Sequence, residues 1–273
     1  MAPSHSGKFT TEEEVLKHYD PGRYRTPDGY TSDIAVFTIR QDKQIEKGEE
    51  IWKPVLMLML IKRAATDAEG NPNIEGGKWA LPGGFGSDKE TALQTAYREL
   101  SEETGISGIH VKHFAVYDRP GRDPRGWIIS NAHYAIVPPD YLEKRKAADD
   151  AEQCELFSVE EALALPLAFD HKEMIEAAIA VVEREMVQTT LAKHFLPEEF
   201  TLSELRDVLM TVVKDDPKIV IKSTFWEKAP RLPFLELATD QSGNIKTTRR
   251  NGAMRRTRLY RFNEVEPVAS IYG

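Results

Sequence analysis

A single cysteine, Cys154, stands in 273 residues, so no internal disulfide can form. That usage suits a reducing compartment, and Cys154 reads as a packing residue rather than a nucleophile. Long apolar runs are also missing: the longest, Val55 to Ile61, has seven residues, far short of the ~20 that a membrane helix requires. The opening MAPSHSGKFTTEEE holds no apolar signal segment, so a cytoplasmic protein without membrane attachment is expected. Acidic residues, abundant elsewhere, are absent from Gln241 to Phe262.

What is present describes a globular chain. Hydrophobic residues make up 41% and charged residues 29%, enough for a packed core, and the length is comfortable for two domains. The net charge of −8 is uneven. From Val187 onward lie 14 of the 36 basic and 11 of the 44 acidic residues, a net of +3; the 22 and 33 before it leave −11. An anion-binding surface on the scale of a domain is therefore expected only in the last third.

The acidic part is organised around Gly84 to Ile106, GFGSDKETALQTAYRELSEETGI. Ser87 and Glu90 in S-x-x-E spacing predict a helix starting near Asp88, and Gly105 predicts its stop near Thr104. Ala92, Leu93, Ala96, Tyr97 and Leu100 give one apolar face. Glu99, Glu102 and Glu103, at i, i+3 and i+4, stack three carboxylates on another. Like charges so placed repel, and a hard divalent cation such as Mg²⁺ or Mn²⁺ removes the penalty. A solvated acidic face is the alternative, but such faces are normally interleaved with bases, and here the only nearby base is Arg98.

Gly84, Glu90, Arg98, Glu99, Leu100, Glu102, Glu103, Gly105 and Ile106 match every specified position of the Nudix box, and the chain resembles that family. The resemblance implies a Nudix fold, α/β (α+β) with a mixed sheet sandwiched between helices. It also implies Mg²⁺- or Mn²⁺-dependent hydrolysis of a diphosphate linked to another moiety. Glu99, Glu102, Glu103 and the Gly84 carbonyl would hold metal, while Glu90 and Arg98 would brace the loop.

Around the box the chain reads as strands Asp33–Ile39, Val55–Ile61, Ile109–Tyr117 and Trp127–Val137, with Gln41–Lys53 a polar excursion read as a solvated hairpin extension rather than a site. The W-x-L-P-G-G approach, Trp79 to Gly84, brings glycines close to a phosphate, Gly83 among them; Trp79 reads as core. The loop Asp118–Gly126, DRPGRDPRG, supplies Arg119, Arg122 and Arg125 for substrate contact. It is similar to the R-D-P-R-G loop of Nudix proteins that handle ADP-ribose or nicotinamide nucleotides, although Trp127, Ile128 and Ile129 depart from the usual continuation. By the same resemblance, Glu152 in an acidic loop is the candidate last metal ligand or general base. Ala168-Phe169-Asp170-His171 opens a helix with Asp170 as cap, and His171 is read as a helix-start or interface residue.

The expected domains are an N-terminal extension (1–30), a Nudix hydrolase domain (31–187) and a C-terminal domain (188–273). Thr201 and Glu204 form a capping box, and Phe200 with Leu205 a hydrophobic staple, for a helix to about Lys214. Ile219–Lys228 is a second helical segment, and Leu235–Ala238, Gly243-Asn244 and Arg258–Phe262 suggest a hairpin. Seven bases between Gln241 and Phe262, among them Arg249, Arg250, Arg255 and Arg256, offer duplex DNA a cationic surface. Phe195–Leu205 and Arg258–Phe262 resemble the winged-helix domain of Nudix-related transcriptional regulators of NAD metabolism. Two functions follow: hydrolysis of ADP-ribose to AMP and ribose 5-phosphate, or an ADP-ribose-sensing DNA-binding regulator. A homodimer is expected in either case.

Overall fold

The computed structural model describes residues 9–23, 25–46, 49–66, 69–139, 141–142, 154–249 and 256–263. A short helix α1 (Glu12–Lys17), capped by Thr11, precedes a mixed sheet. Its strands are β1 (Gly29–Glu46), β2 (Glu49–Lys62), β3 (Trp79–Ala80), β4 (Gly83–Phe85), β5 (His110–Tyr117), β6 (Ile128–Ile136) and β7 (Cys154–Ser158). The order is β3-β2-β1-β6-β5, with β4 added to β1 and β7 to β2. Among the described strands only the β1–β6 pair is parallel.

Alternation along β1 sends its side chains into two cores. Ile34 and Val36, with Met59, pack on Ala96 and Leu100 of α2 (Ala92–Thr104) and on Ile106. Fully burying a side chain such as Leu100 contributes ~1.5–3 kcal/mol. On the opposite face Ala35, Phe37, Leu58 and Leu60 meet Met174, Ile175, Ala178 and Val182 of α4 (His171–Gln188), which follows α3 (Val159–Ala164). The sheet therefore lies between helices, as expected.

That second core does not stop at α4. It continues through Leu191 and Phe195 into Leu205 and Leu209 of α5 (Leu202–Val212), then to Phe225, Phe234 and Tyr260. The remaining elements are α6 (Pro217–Val220), α7 (Lys222–Lys228), β8 (Leu235–Leu237), β9 (Thr247–Thr248), β10 (Thr257–Arg258) and β11 (Tyr260–Phe262). β8 pairs with β11, and β9 with β10. Gly243, at φ +81°, sits in the turn that follows β8.

Three expectations need correction. The metal-box helix begins at Ala92, capped by Thr91 and Gln94, because the Glu90 carboxylate is drawn to Arg98 as well as to the Ser87 amide. The polar excursion, by contrast, is the hairpin extension expected: the β1–β2 ladder runs on to Glu46 opposite Glu49. The segment 219–228 is two helices, because Ile221 takes an extended conformation between them. Asp170 precedes α4 but forms no side-chain cap, since its carboxylate binds Arg122.

Candidate active site

The approach to α2 is fixed by close backbone packing. β4 lies on β1, and Gly83, at φ +154°, leaves no room for a side chain: a Cβ there would fall 2.3 Å from the Ser32 carbonyl oxygen. At Gly84 a Cβ would meet the Glu99 carboxylate at 2.4–2.7 Å. Glycine at both positions thus lets backbone and carboxylates share one small volume. The Tyr30 hydroxyl lies 2.9 Å from the carbonyls of Ser87 and Glu90, holding the loop before the helix. Trp79 is buried edge-on against Phe157, a core residue as expected.

Arg98 gathers the box. Its Nε and Nη2 fork onto Glu90 at 3.1 and 2.9 Å, Nη2 also reaches the Phe85 carbonyl at 3.0 Å, and Nη1 donates to Glu99 (2.7 Å) and Glu102 (3.0 Å). This planar five-donor geometry is one that lysine lacks. The Arg98 hydrogen bond is the main reason that the Glu90 carboxyl titrates below its usual range.

Glu103 faces inward. Its Oε2 accepts the Gly83 N–H at 2.7 Å, yet burial, with Glu99 and Asp33 nearby, pushes its pKa up to about 7. Asp33 was not singled out in the sequence. It is buried and accepts the Thr31 hydroxyl (3.0 Å) and the Ser130 hydroxyl, and the His171 Nε2 lies 3.8 Å away. An acid at the head of the apolar run DIAVFTI was the available signal. Among the described residues no three acidic, His or Cys side chains already stand as a metal cage. The donor chemistry nevertheless fits Mg²⁺ or Mn²⁺: the side chains are hard oxygen donors, and the burial and neighbouring carboxylates that raise Glu103 are offset by a cation.

The raised Glu103 pKa has a definite sign in stability. Below about 4.5 the group is protonated whether folded or unfolded. Between its ordinary 4.5 and about 7 the unfolded chain ionises first, so stability falls as pH rises, and the full penalty persists above pH 7. Its size is on the order of 3 kcal/mol at most. With divalent metal chelated, Glu103→Gln should therefore gain melting temperature relative to wild type as pH goes from 4.5 to 7.5. Parallel melting curves for the two proteins would show that the carboxylate is not buried.

The three loop arginines differ in setting. Arg122 is buried and forks onto Asp170 at 2.8 and 2.6 Å, tying the loop to the start of α4. Arg119 is exposed and reaches Glu173 at 3.2 Å. Arg125 is partly exposed, bound to Asp123 and layered against the Phe85 and Phe169 rings at 4.9 and 5.1 Å. Arg63 lies against the same Phe169 ring at 5.1 Å, so two guanidinium groups and two aromatic rings border the box, Phe85 with 44% exposure. His171 is an interface residue as expected: Nδ1 accepts the Leu81 N–H at 2.9 Å. Glu152 lies outside the described residues.

In the C-terminal region Arg249 is exposed, and Arg256 donates to the Thr247 hydroxyl at 2.7 Å. Arg250 and Arg255 lie outside the described residues. Lys246 and Arg261 are already ion-paired, with Glu199 and Glu236.

The chain matches the NUDIX domain over residues 29–178, and it belongs to the Nudix family. The ADPR responsive transcriptional repressor NtrR of Acinetobacter baylyi is 28% identical over 258 residues, 93% of this chain and 89% of that protein. An ADP-ribose pyrophosphatase of Methanocaldococcus jannaschii is 40% identical over 120 residues, 44% of this chain and 63% of that protein. In structure, the chain is similar to Shewanella oneidensis NrtR, solved in complex with a 27mer DNA: TM-score 0.64 at 22% identity, over 88% of this chain and 99% of that one. This likeness extends through the C-terminal domain and supports the two-part α/β architecture. No helix among the described residues is long and apolar enough to cross a membrane.

Proposed function

We propose that the protein is a metal-dependent hydrolase of a nucleoside diphosphate derivative, with ADP-ribose cleaved to AMP and ribose 5-phosphate. The observation that carries this reading is the complete box, with Arg98 forked onto Glu90 and Glu103 fixed by the Gly83 amide. Bound Mg²⁺ would offset diphosphate charge and lower the pKa of a coordinated water. Glu99, Glu102, Glu103 and the Gly84 carbonyl would hold it, Arg98 would keep those carboxylates oriented, and Gly83 and Gly84 would let backbone approach the phosphates. Glu152 is the proposed last ligand or general base. Water adds to one phosphorus, the bridging P–O bond breaks, and the proton leaves to that base. The test is purified protein with Mg²⁺ and a panel of nucleoside diphosphate derivatives assayed for AMP; no release from any of them would overturn it.

Arg125 supports the choice of ligand. Stacked on two rings beside the box, it can fork onto a phosphate or lie over a base. ADP-ribose should raise the melting temperature by mass action. Arg125→Ala should weaken binding by about 10- to 100-fold, the loss of a charged hydrogen bond worth ~1.5–3 kcal/mol. Stabilisation by 8-oxo-dGTP and not by ADP-ribose would exclude this substrate class.

The second reading is an ADP-ribose-sensing regulator that uses the same pocket and binds duplex DNA as a homodimer. It is favoured by α5–α7 followed by the paired strands β9 and β10, with Arg249 just after β9 and Arg258 in β10 both exposed, and the two activities are compatible.

A further inference from the structure

Among the described residues only two that are not glycine hold a left-handed backbone, Glu75 at φ +56° and Phe169 at φ +49°. A bulky side chain rarely adopts it, and such strain persists where the surrounding structure enforces it, often beside a ligand. The two are joined across 94 residues of sequence: the Glu75 Oε2 accepts the Phe169 N–H at 3.4 Å. The same oxygen takes the Lys78 ammonium at 2.5 Å. Around them the loop after β2 is sewn to the approach to α4. The Trp79 amide donates to the Pro166 carbonyl (3.0 Å), the Ala168 amide to the Trp79 carbonyl (2.8 Å), and Arg63 Nε and Nη2 to the Ile74 carbonyl (3.2 and 3.0 Å).

What this enforced geometry holds in place is the Phe169 ring. The arginines of the loop 118–126 meet the segment around the start of α4 one by one: Arg119 at Glu173, Arg122 at Asp170, and Arg125 at the Phe169 ring, 5.1 Å from its centroid. The first two contacts are ion pairs. A ring instead attracts a guanidinium without neutralising it. Asp123 engages Nε and Nη2 of Arg125, which leaves Nη1 without a hydrogen bond among the described residues. Arg63 also lies 5.1 Å from that ring, and burial, followed by the Arg125 charge, holds the Arg63 pKa below its ordinary value. Like charges so close drive each other apart unless both are fixed, and the Phe169 ring is a group that both touch.

We infer that Glu75 and Phe169 are a positioning pair: Glu75 holds Phe169 in its strained backbone, and the ring aims the Arg125 guanidinium at a phosphate of the bound diphosphate. The inference rests on the reading of the box and its loop as an ADP-ribose site, and it gives neither residue a contact with the ligand.

Calorimetric titration of the full-length protein with α,β-methylene ADP-ribose and Mg²⁺ reads binding alone, because the methylene bridge is not cleaved. Phe169→Leu should raise Kd ~10-fold, and Phe169→Tyr, which keeps the ring, should stay within about twofold of wild type. Glu75→Ala should raise Kd at least ~3-fold, the loss of one hydrogen bond, and Glu75→Gln, which keeps a carbonyl for the Phe169 amide, should restore most of it. A double-mutant cycle decides: in an Arg125→Ala background, Phe169→Leu should weaken binding by less than about twofold more, because the group it positions is gone. Where Phe169→Leu does not fold, Glu75→Ala takes its place in the cycle. Additive losses would show that the ring acts independently of Arg125 and overturn the inference, as would wild-type affinity in both Phe169→Leu and Glu75→Ala. No binding by the wild type would instead remove the ADP-ribose reading, and the inference with it.

Discussion

Glu103→Gln should lower kcat for ADP-ribose by at least ~100-fold, equivalent to about 2.7 kcal/mol in the barrier, while the fold and ligand affinity persist. The amide keeps an oxygen for the Gly83 N–H, which Glu103 accepts at 2.7 Å, so the loop is not released. What disappears is negative charge at the point where a cation must be held against the developing charge on phosphorus. Circular dichroism and an ADP-ribose melting-temperature shift would confirm that the variant is folded and binds. Turnover within a few-fold of wild type would remove Glu103 from the proposed ligand set.

A comparably large effect is expected for DNA. Seven bases lie between Gln241 and Phe262, but Lys246 and Arg261 are neutralised by Glu199 and Glu236. Arg249, Arg256 and Arg258 are exposed, and three phosphate contacts per chain would make about six per dimer. Such a site loses ~10³-fold in affinity between 50 and 200 mM salt. Base readout should be the weaker component, because Ser223, Thr224 and Trp226 in α7 offer few bidentate donors. Gel-shift titrations against DNA upstream of the protein's own operon, with and without ADP-ribose, measure both. If binding is neither specific nor salt-sensitive, and replacing Arg249, Arg250, Arg255 and Arg256 by Ala disrupts a dimer, the strands are an assembly element and the protein is an enzyme alone.

Features decided by a few neighbouring residues were legible in the sequence. Gly105 ends α2 in the left-handed conformation, at φ +64°; Thr201 and Glu204 cap α5 reciprocally; and the i, i+3, i+4 acids lie on one helix. Features decided by distant partners were not. Glu90 has local capping geometry, yet Arg98, eight residues on, draws its carboxylate and moves the helix start to Ala92. Asp170 has the chemistry of a cap, but its carboxylate meets Arg122, 48 residues away. Asp33 entered the site only once β1 and β6 brought Ser130 beside it.

The side chains buried on the α4 face of the sheet form one continuous set from Phe37 to Tyr260. Close-packed interiors compress little and pass displacement on. In mechanical terms the chain is then a single lever rather than two beads on a string. A shift of α4, which Arg122 grips through Asp170 at the nucleotide loop, would reach the distal strands by solid contact, with no slack linker to absorb it.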